Sequence, residues 1–271
     1  MLHHPALAVL GALFLWWAAT GILLWCVHRA DRDSGPGRHE ATVLLALPLL
    51  IGGVTVARVT EGTLAPWAVW MAFVAALAIW AWIELAFLSG VVTGPVTTAC
   101  PPGLVGAARF RRAFGTIAWH EGALVAALLW LALTTAQGPN RFAFYTFLIL
   151  FWARVFAKLN LFLGAPRINT HFLPRPVAHL GSYFRQGPVS GFFPLSVTLL
   201  ALTLGCLIDQ WWRAVADGPA LGFSLLSALS ALALLEHWFM VWKLNDDKLW
   251  RWMIPAPRNE KTKLRGKPHG F

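Results

Sequence analysis

The sequence predicts an all-α, polytopic integral membrane protein, a bundle of seven transmembrane helices with a periplasmic N-terminus and a cytoplasmic C-terminus. Three observations predict it. The 271 residues are 58% hydrophobic and only 13% charged, a balance that polar surface could not cover on a water-soluble domain of this size. Seven apolar runs are long enough, at about 20 residues each, to cross a bilayer. The basic residues fall almost entirely in alternate connections, as the positive-inside rule requires of an odd number of spans.

The runs lie at roughly 5 to 27, 41 to 59, 66 to 88, 113 to 135, 142 to 163, 191 to 212 and 220 to 243. Between them stand turn and breaker residues: Asp33 to Gly37, Gly62 to Pro66, Gly94 to Gly106 with Pro101 and Pro102, Gln137 to Asn140, Gly164 to Ser190, and Asp217 to Pro219. The first run lacks the basic start and small-residue cleavage site of a signal peptide and reads as a retained span. Beyond the last, Asp246 to Pro255 mixes charges with tryptophans and reads as an interfacial segment. Residues 1 to 257 form one transmembrane domain on this reading, and 258 to 271 form a basic cytoplasmic tail on anionic lipid.

On one side of the membrane this arrangement places Arg29, Arg32, Arg38, Arg109, Arg111, Arg112, Arg167, Arg175, Arg185 and eight basic residues from Lys243 to Lys267. The other side has Arg58, Arg141 and Arg213. The net charge of +10 is therefore topology rather than a nucleic-acid patch. Location in a bacterial inner membrane, with lipid as the first partner, follows. Of the 16 tryptophans, Trp67, Trp70, Trp211 and Trp212 fit one interface and Trp242, Trp250 and Trp252 the other. Cys26, Cys100 and Cys206 are scattered, with no disulfide or thiolate-metal spacing.

Against this apolar background the fifth run is unusual, because it contains Arg154, Lys158 and Asn160. A cation at the centre of a membrane helix costs roughly 2.5 to 3.5 kcal/mol and marks a partner, a cavity or a site. The two cations are four residues apart and share a helix face. Depth, at 1.5 Å per residue, puts Glu84, His120, Glu121, Arg154, Lys158, Glu236 and His237 in the same, cytoplasmic half of the membrane. One partly buried network of carboxylates, cations and imidazoles is expected from them, each ionised group paired. The plainest role for it is to neutralise Arg154 and Lys158 and lock the helices together.

Two functional roles stand beside that one. Glu84, His120, Glu236 and His237 are candidate metal ligands by residue type. However, adjacent residues point about 100° apart, so His120 with Glu121, or Glu236 with His237, do not converge on one centre as an i, i+3 or i, i+4 pair does. Alternatively, His120 or His237 could ligate the magnesium of a (bacterio)chlorophyll, the neighbouring glutamate turning to Arg154 or Lys158. No P-loop, Rossmann glycine pattern, GxSxG or HExxH is present. His171 and His179 lie on the loop after the fifth run among Arg167, Arg175 and Arg185, where a basic loop touching headgroups is expected.

The run FAKLNLFLGAPRINTHFLPRPVAHLGSYFR (156 to 185), with WHEG (119 to 122), LALLEHWFMVW (232 to 242) and LWRWMI (249 to 254), resembles the photosynthetic complex assembly protein 2 family, the PuhE-type proteins of anoxygenic phototrophic bacteria. The likeness spans essentially the whole chain; Trp242 to Leu249 is more charged than its counterpart in the family. The resemblance implies an inner-membrane protein encoded beside reaction-centre genes, needed for normal build-up of reaction-centre and light-harvesting complexes and linked to bacteriochlorophyll supply. It carries over no site residues. The expected function is an assembly factor rather than an enzyme. It would handle bacteriochlorophyll or a precursor, with complex subunits or other assembly factors as partners. The alternative is an intramembrane metal-dependent enzyme modifying a tetrapyrrole or quinone, and a transporter ranks third because no inverted repeats are visible.

Overall fold

The computed structural model describes residues 5–32, 35, 37–168, 170 and 173–242. Its helices are α1 Pro5–Arg32, α2 Arg38–Leu45, α3 Leu47–Thr60, α4 Pro66–Leu88, α5 Gly106–Gly115, α6 Ala118–Thr134, α7 Phe142–Leu163, α8 Phe192–Arg213 and α9 Asp217–Phe239, with a 3-10 helix over Arg175–Tyr183. Among the described residues there is no β-sheet, only an isolated bridge between Ala165 and Gln186. Six spans are long and apolar enough to cross a membrane, α2 and α3 together making one, and the bent pair α5–α6 supplies a seventh if it is taken as one span. The last residue of the 220 to 243 run, the interfacial segment and the basic tail lie outside the described residues.

Local chemistry explains where the helices break. Pro48 has no N–H for the carbonyl four residues back, so the second span splits at Ala46, whose own N–H still reaches the Thr42 carbonyl at 3.2 Å. The α4 helix ends in a left-handed Gly90 (φ 77°), and the Val91 N–H folds back to the Ala86 carbonyl at 2.9 Å.

The expected 113 to 135 span is divided differently. Residues 113 to 115 belong to α5, which leaves α6 at a 66° bend, and α6 itself has 17 residues, about 25 Å. The polar groups freed at the bend are taken up by the loop after α4. Val96 N–H donates to the Gly115 carbonyl (3.1 Å), and His120 N–H donates to the Thr93 carbonyl (3.0 Å). A side chain at Gly94 would overlap the Gly115 carbonyl, so only glycine lets this loop lie against the joint.

Packing is concentric. In their apolar windows α4 and α9 are 61% and 67% buried, against 17% for α1, the α2–α3 span and α8. These two central helices carry Phe73, Ala76, Ile79, Leu225 and Leu229 into one core with Leu124 and Leu131 of α6 and Phe147 of α7. The outer helices present Leu10, Phe14, Ile51, Leu195 and Leu202 outward, as membrane helices do towards lipid.

The two ends of the bundle are tied differently. At one end Arg58 reaches Glu61 and the Thr134 carbonyl, and Asn140 donates to the Thr60 carbonyl, all at 3.0 Å. At the other, a knitted loop layer covers the helix ends. There Arg109 donates to the Phe162 and Tyr183 carbonyls, Arg167 N–H to Met240, and Arg175 N–H to the Asp31 carboxylate, which also faces His39 at 3.1 Å. This second end collects Arg29, Arg32, Arg38, Arg109, Arg111, Arg112, Arg167, Arg175 and Arg185, so the alternation of charge expected from the sequence has a structural counterpart.

Candidate functional site

Beneath the basic end, α4, α6 and α7 bring five of the expected residues into one cluster. Arg154 Nη2 donates to Glu84 Oε2 at 2.9 Å, and Lys158, one turn further along α7, is hydrogen-bonded to Glu121. His120 Nε2 stands 3.7 Å from Glu84 Oε1. The His120 ring stacks on Phe87 with centroids 4.2 Å apart, and Lys158 Nζ lies 5.6 Å from the centroid of that same Phe87 ring. The i, i+3 spacing of Glu84 and Phe87 on α4 and the i, i+4 spacing of Arg154 and Lys158 on α7 make the two helices present matching faces. Glu84 and His120 are buried, whereas Arg154 keeps 36% of its side chain accessible.

His120 and Glu121 serve different partners, as their 100° divergence requires. One turns to Glu84 and the other to Lys158.

The remaining expected members stand apart from this cluster. Asn160 is fully buried but turns to α8, where its side-chain N–H donates to Ser196 Oγ at 2.9 Å; the Ser196 hydroxyl donates to the Phe193 carbonyl at 2.8 Å. His237, also buried, uses Nδ1 on the Ala233 carbonyl of its own helix at 2.7 Å. A carbonyl only accepts, so Nδ1 carries the proton and Nε2 of the neutral ring presents a lone pair. Ala233 packs with Ala153 of α7 and Leu200 of α8, so one turn further on His237 lies on the α7–α8 side of α9, near the level of Asn160 and Ser196. Glu236 is exposed.

Several buried polar atoms in this half of the bundle lack a hydrogen-bond partner: Glu84 Oε1, both ring nitrogens of His120, Arg154 Nε, Asn160 Oδ1 and His237 Nε2. Each such atom costs about 1 to 3 kcal/mol unless a ligand or water satisfies it. Among the described residues no three His, Cys, Asp or Glu side chains are grouped to hold a metal ion.

The sequence reading missed Phe87, which sits between an imidazole and an ammonium, and Thr93, whose carbonyl fixes the first turn of α6. It also missed the group at the basic end in which His28 and His39 flank Asp31; the His28–Asp31 i, i+3 spacing was its only local signal. His171 lies outside the described residues. His179 lies on the 3-10 helix, where burial pushes its imidazole below the ordinary value and the Pro176 carbonyl partly opposes that.

The chain is 48% identical over 255 residues, 94% of its own length and 93% of the relative's, to the "Uncharacterized 30.4 kDa protein in puhA 5'region" of Rhodobacter capsulatus. No solved structure matches it. The family model described as "Protein of unknown function (DUF3623)" matches residues 2–261, nearly the whole chain, and the protein therefore belongs to the DUF3623 family.

Proposed function

We propose that this protein is a PuhE-type assembly factor of the bacterial inner membrane that supports build-up of reaction-centre and light-harvesting complexes by holding bacteriochlorophyll or a precursor. By the positive-inside rule the knitted basic end faces the cytoplasm and the N-terminus the periplasm, which offers the loop layer to complex subunits and other assembly factors. A relative that lies in the puhA 5′ region agrees with the gene context the resemblance implies.

The observation that carries the pigment reading is the His237 imidazole. It is 1% exposed, held by its Nδ1 bond to Ala233, and has no partner at Nε2. A neutral ring nitrogen fixed through the other nitrogen is a donor that would hold a chelated magnesium. His120 is the second candidate, although its ring face is already occupied by Phe87. Arg154 and Lys158 would orient acidic groups of the pigment or of a nascent subunit, and Glu84 and Glu121 hold those cations in place meanwhile. With no three ligating side chains grouped among the described residues, the metal-dependent enzyme has less support.

The test is an absorption spectrum, with metal content, of the protein gently purified from a phototrophic host beside His237→Ala and His120→Ala. A bacteriochlorophyll-like band that co-purifies with the parent and is lost from folded His237→Ala is the expected result. A colourless parent overturns pigment handling. Stoichiometric iron or zinc in that colourless protein would move the reading to the enzyme.

A further inference from the structure

Helix α5, Gly106–Gly115, is inside out for a helix at a water surface. Two of its cations turn towards the protein: Arg109 donates to the Phe162 and Tyr183 carbonyls, and Arg112 donates to Thr98 Oγ1 at 2.8 Å. Its aromatic residues turn away. Phe110 and Phe114 keep 47% and 48% of their surface accessible, and no residue of the helix is buried. Ala107, Phe110 and Phe114, at i, i+3 and i+7, make one exposed apolar stripe, and Val105 just before the helix is exposed as well. In water the hydrophobic effect favours the opposite arrangement, with the phenylalanines against the loop layer and the guanidiniums solvated.

Three observations fix the level of this helix. Phe110 packs edge-on against Phe162 with centroids 5.6 Å apart, and Phe162 is the last residue but one of the α7 span. The α5 axis is bent by 66° from that of α6. Trp119, the second residue of α6, is exposed just past the bend, as tryptophans are at the level of lipid head groups. An apolar stripe level with the end of a span, on a helix steeply inclined to its neighbour, meets acyl chains rather than water.

Charge identifies the lipid. The helix holds three arginines and no carboxylate. Arg109 and Arg112 are committed to the protein, whereas Arg111 is exposed and bonds no group among the described residues. Its guanidinium fits a phosphate, to which it can donate two hydrogen bonds. A zwitterionic head group brings its own cation, while an anionic one leaves its charge for Arg111.

We infer that α5 is an in-plane anchor that binds anionic phospholipid of the leaflet at the basic end, with its phenylalanine stripe among the acyl chains and Arg111 on the phosphate. The joint to α6 is held by Val96 N–H on Gly115 and His120 N–H on Thr93, so the anchor also steadies the first turn of α6, which carries His120 and Glu121. The surface is separate from His237 and stands whether or not pigment binds.

Fluorescence quenching tests it on the full chain in phosphatidylcholine nanodiscs, with exposed Ala107 replaced by a fluorescent amino acid so that both phenylalanines stay. The quenchers are phosphatidylglycerol and phosphatidylcholine carrying a doxyl group high on the acyl chain, and acrylamide in the water. Quenching by the lipids and protection from acrylamide are expected. Phosphatidylglycerol should act at about fivefold lower content than phosphatidylcholine, the weight of one basic residue at an anionic surface. Arg111→Gln should lose most of that preference without changing thermal unfolding, because Arg111 has no bonded partner to lose. Quenching by acrylamide but not by lipid places the stripe in water and overturns the anchor. Protection from both means that protein covers the stripe, a second copy or another chain, and overturns it equally. Equal quenching by the two lipids, or an unchanged preference in Arg111→Gln, overturns the anionic site.

Discussion

Helix α7 has two polar faces that solve the problem of membrane burial in opposite ways. Towards α4 and α6 it carries full charges, Arg154 and Lys158, each answered by a carboxylate. Towards α8 it carries a neutral amide, Asn160, answered by a hydroxyl. The charged face joins elements far apart in sequence and leaves accessible edges, whereas the neutral face is fully buried. A buried ion pair adds little net stability compared with apolar residues of equal volume, yet breaking one partner is severe. A neutral hydrogen bond between membrane helices is modest either way. The charged face is therefore the less tolerant of substitution, and the neutral face the more tolerant.

The comparison can be broken by mutation. The largest effect is expected for Glu84→Ala, which strands the Arg154 guanidinium and should cost about 3 to 5 kcal/mol in a reversible detergent or urea unfolding assay. The double variant Glu84→Leu, Arg154→Met should recover most of that loss. If it does not, the face is a packing element rather than a compensated charge pair.

Lys158→Met comes next, because Glu121 is bonded to Lys158 whereas Glu84 faces both Arg154 and His120. A loss of roughly 1.5 to 3 kcal/mol, the range for a hydrogen bond to a charged group, is expected in the same assay. Asn160→Ala should cost only about 0.6 kcal/mol, and at most about 1.7. A loss as large as that of Glu84→Ala would erase the distinction between the faces.

The smallest effect belongs to the loop layer that covers both faces. Burial lowers the His179 imidazole in the folded state, so the unfolded chain takes up its proton first as pH falls. Stability from this group is full above its ordinary value of about 6.5 and declines as pH falls through that value towards the lower folded one. An NMR titration of His179 should give a midpoint below 6.5, and His179→Gln should remove this small acid sensitivity equally for both faces.

Much of this arrangement was legible in the sequence, for definite reasons. Apolar runs of bilayer length and alternating Arg placement are local patterns; six of the seven runs stand as spans, and the 113 to 135 run is bent between α5 and α6. The depth argument brought Glu84, His120, Glu121, Arg154 and Lys158 together because rise per residue is nearly constant along a helix. What it could not supply was azimuth. His237 and Asn160 share that depth but turn to other neighbours, and only the packing of Ala153, Leu200 and Ala233 reveals it. The bend after Gly115 was equally hidden, since its cause is the backbone of residues 93 to 96 docking from a distant loop. Glu236 follows an unbroken leucine stripe, so nothing local marks it as accessible.

The Glu84–Arg154 bond also sets a clock. Its partners are 70 residues apart in the chain, and synthesis proceeds at about 5 to 20 residues per second, so roughly 4 to 14 s separate the emergence of α4 from that of its partner. For that interval the central helix of the bundle sits in the membrane with a carboxyl group and no guanidinium. Ribosome pausing or truncation between α4 and α7 should therefore yield a species that membrane quality control recognises, and the pace of translation becomes part of how much of this protein reaches its mature form.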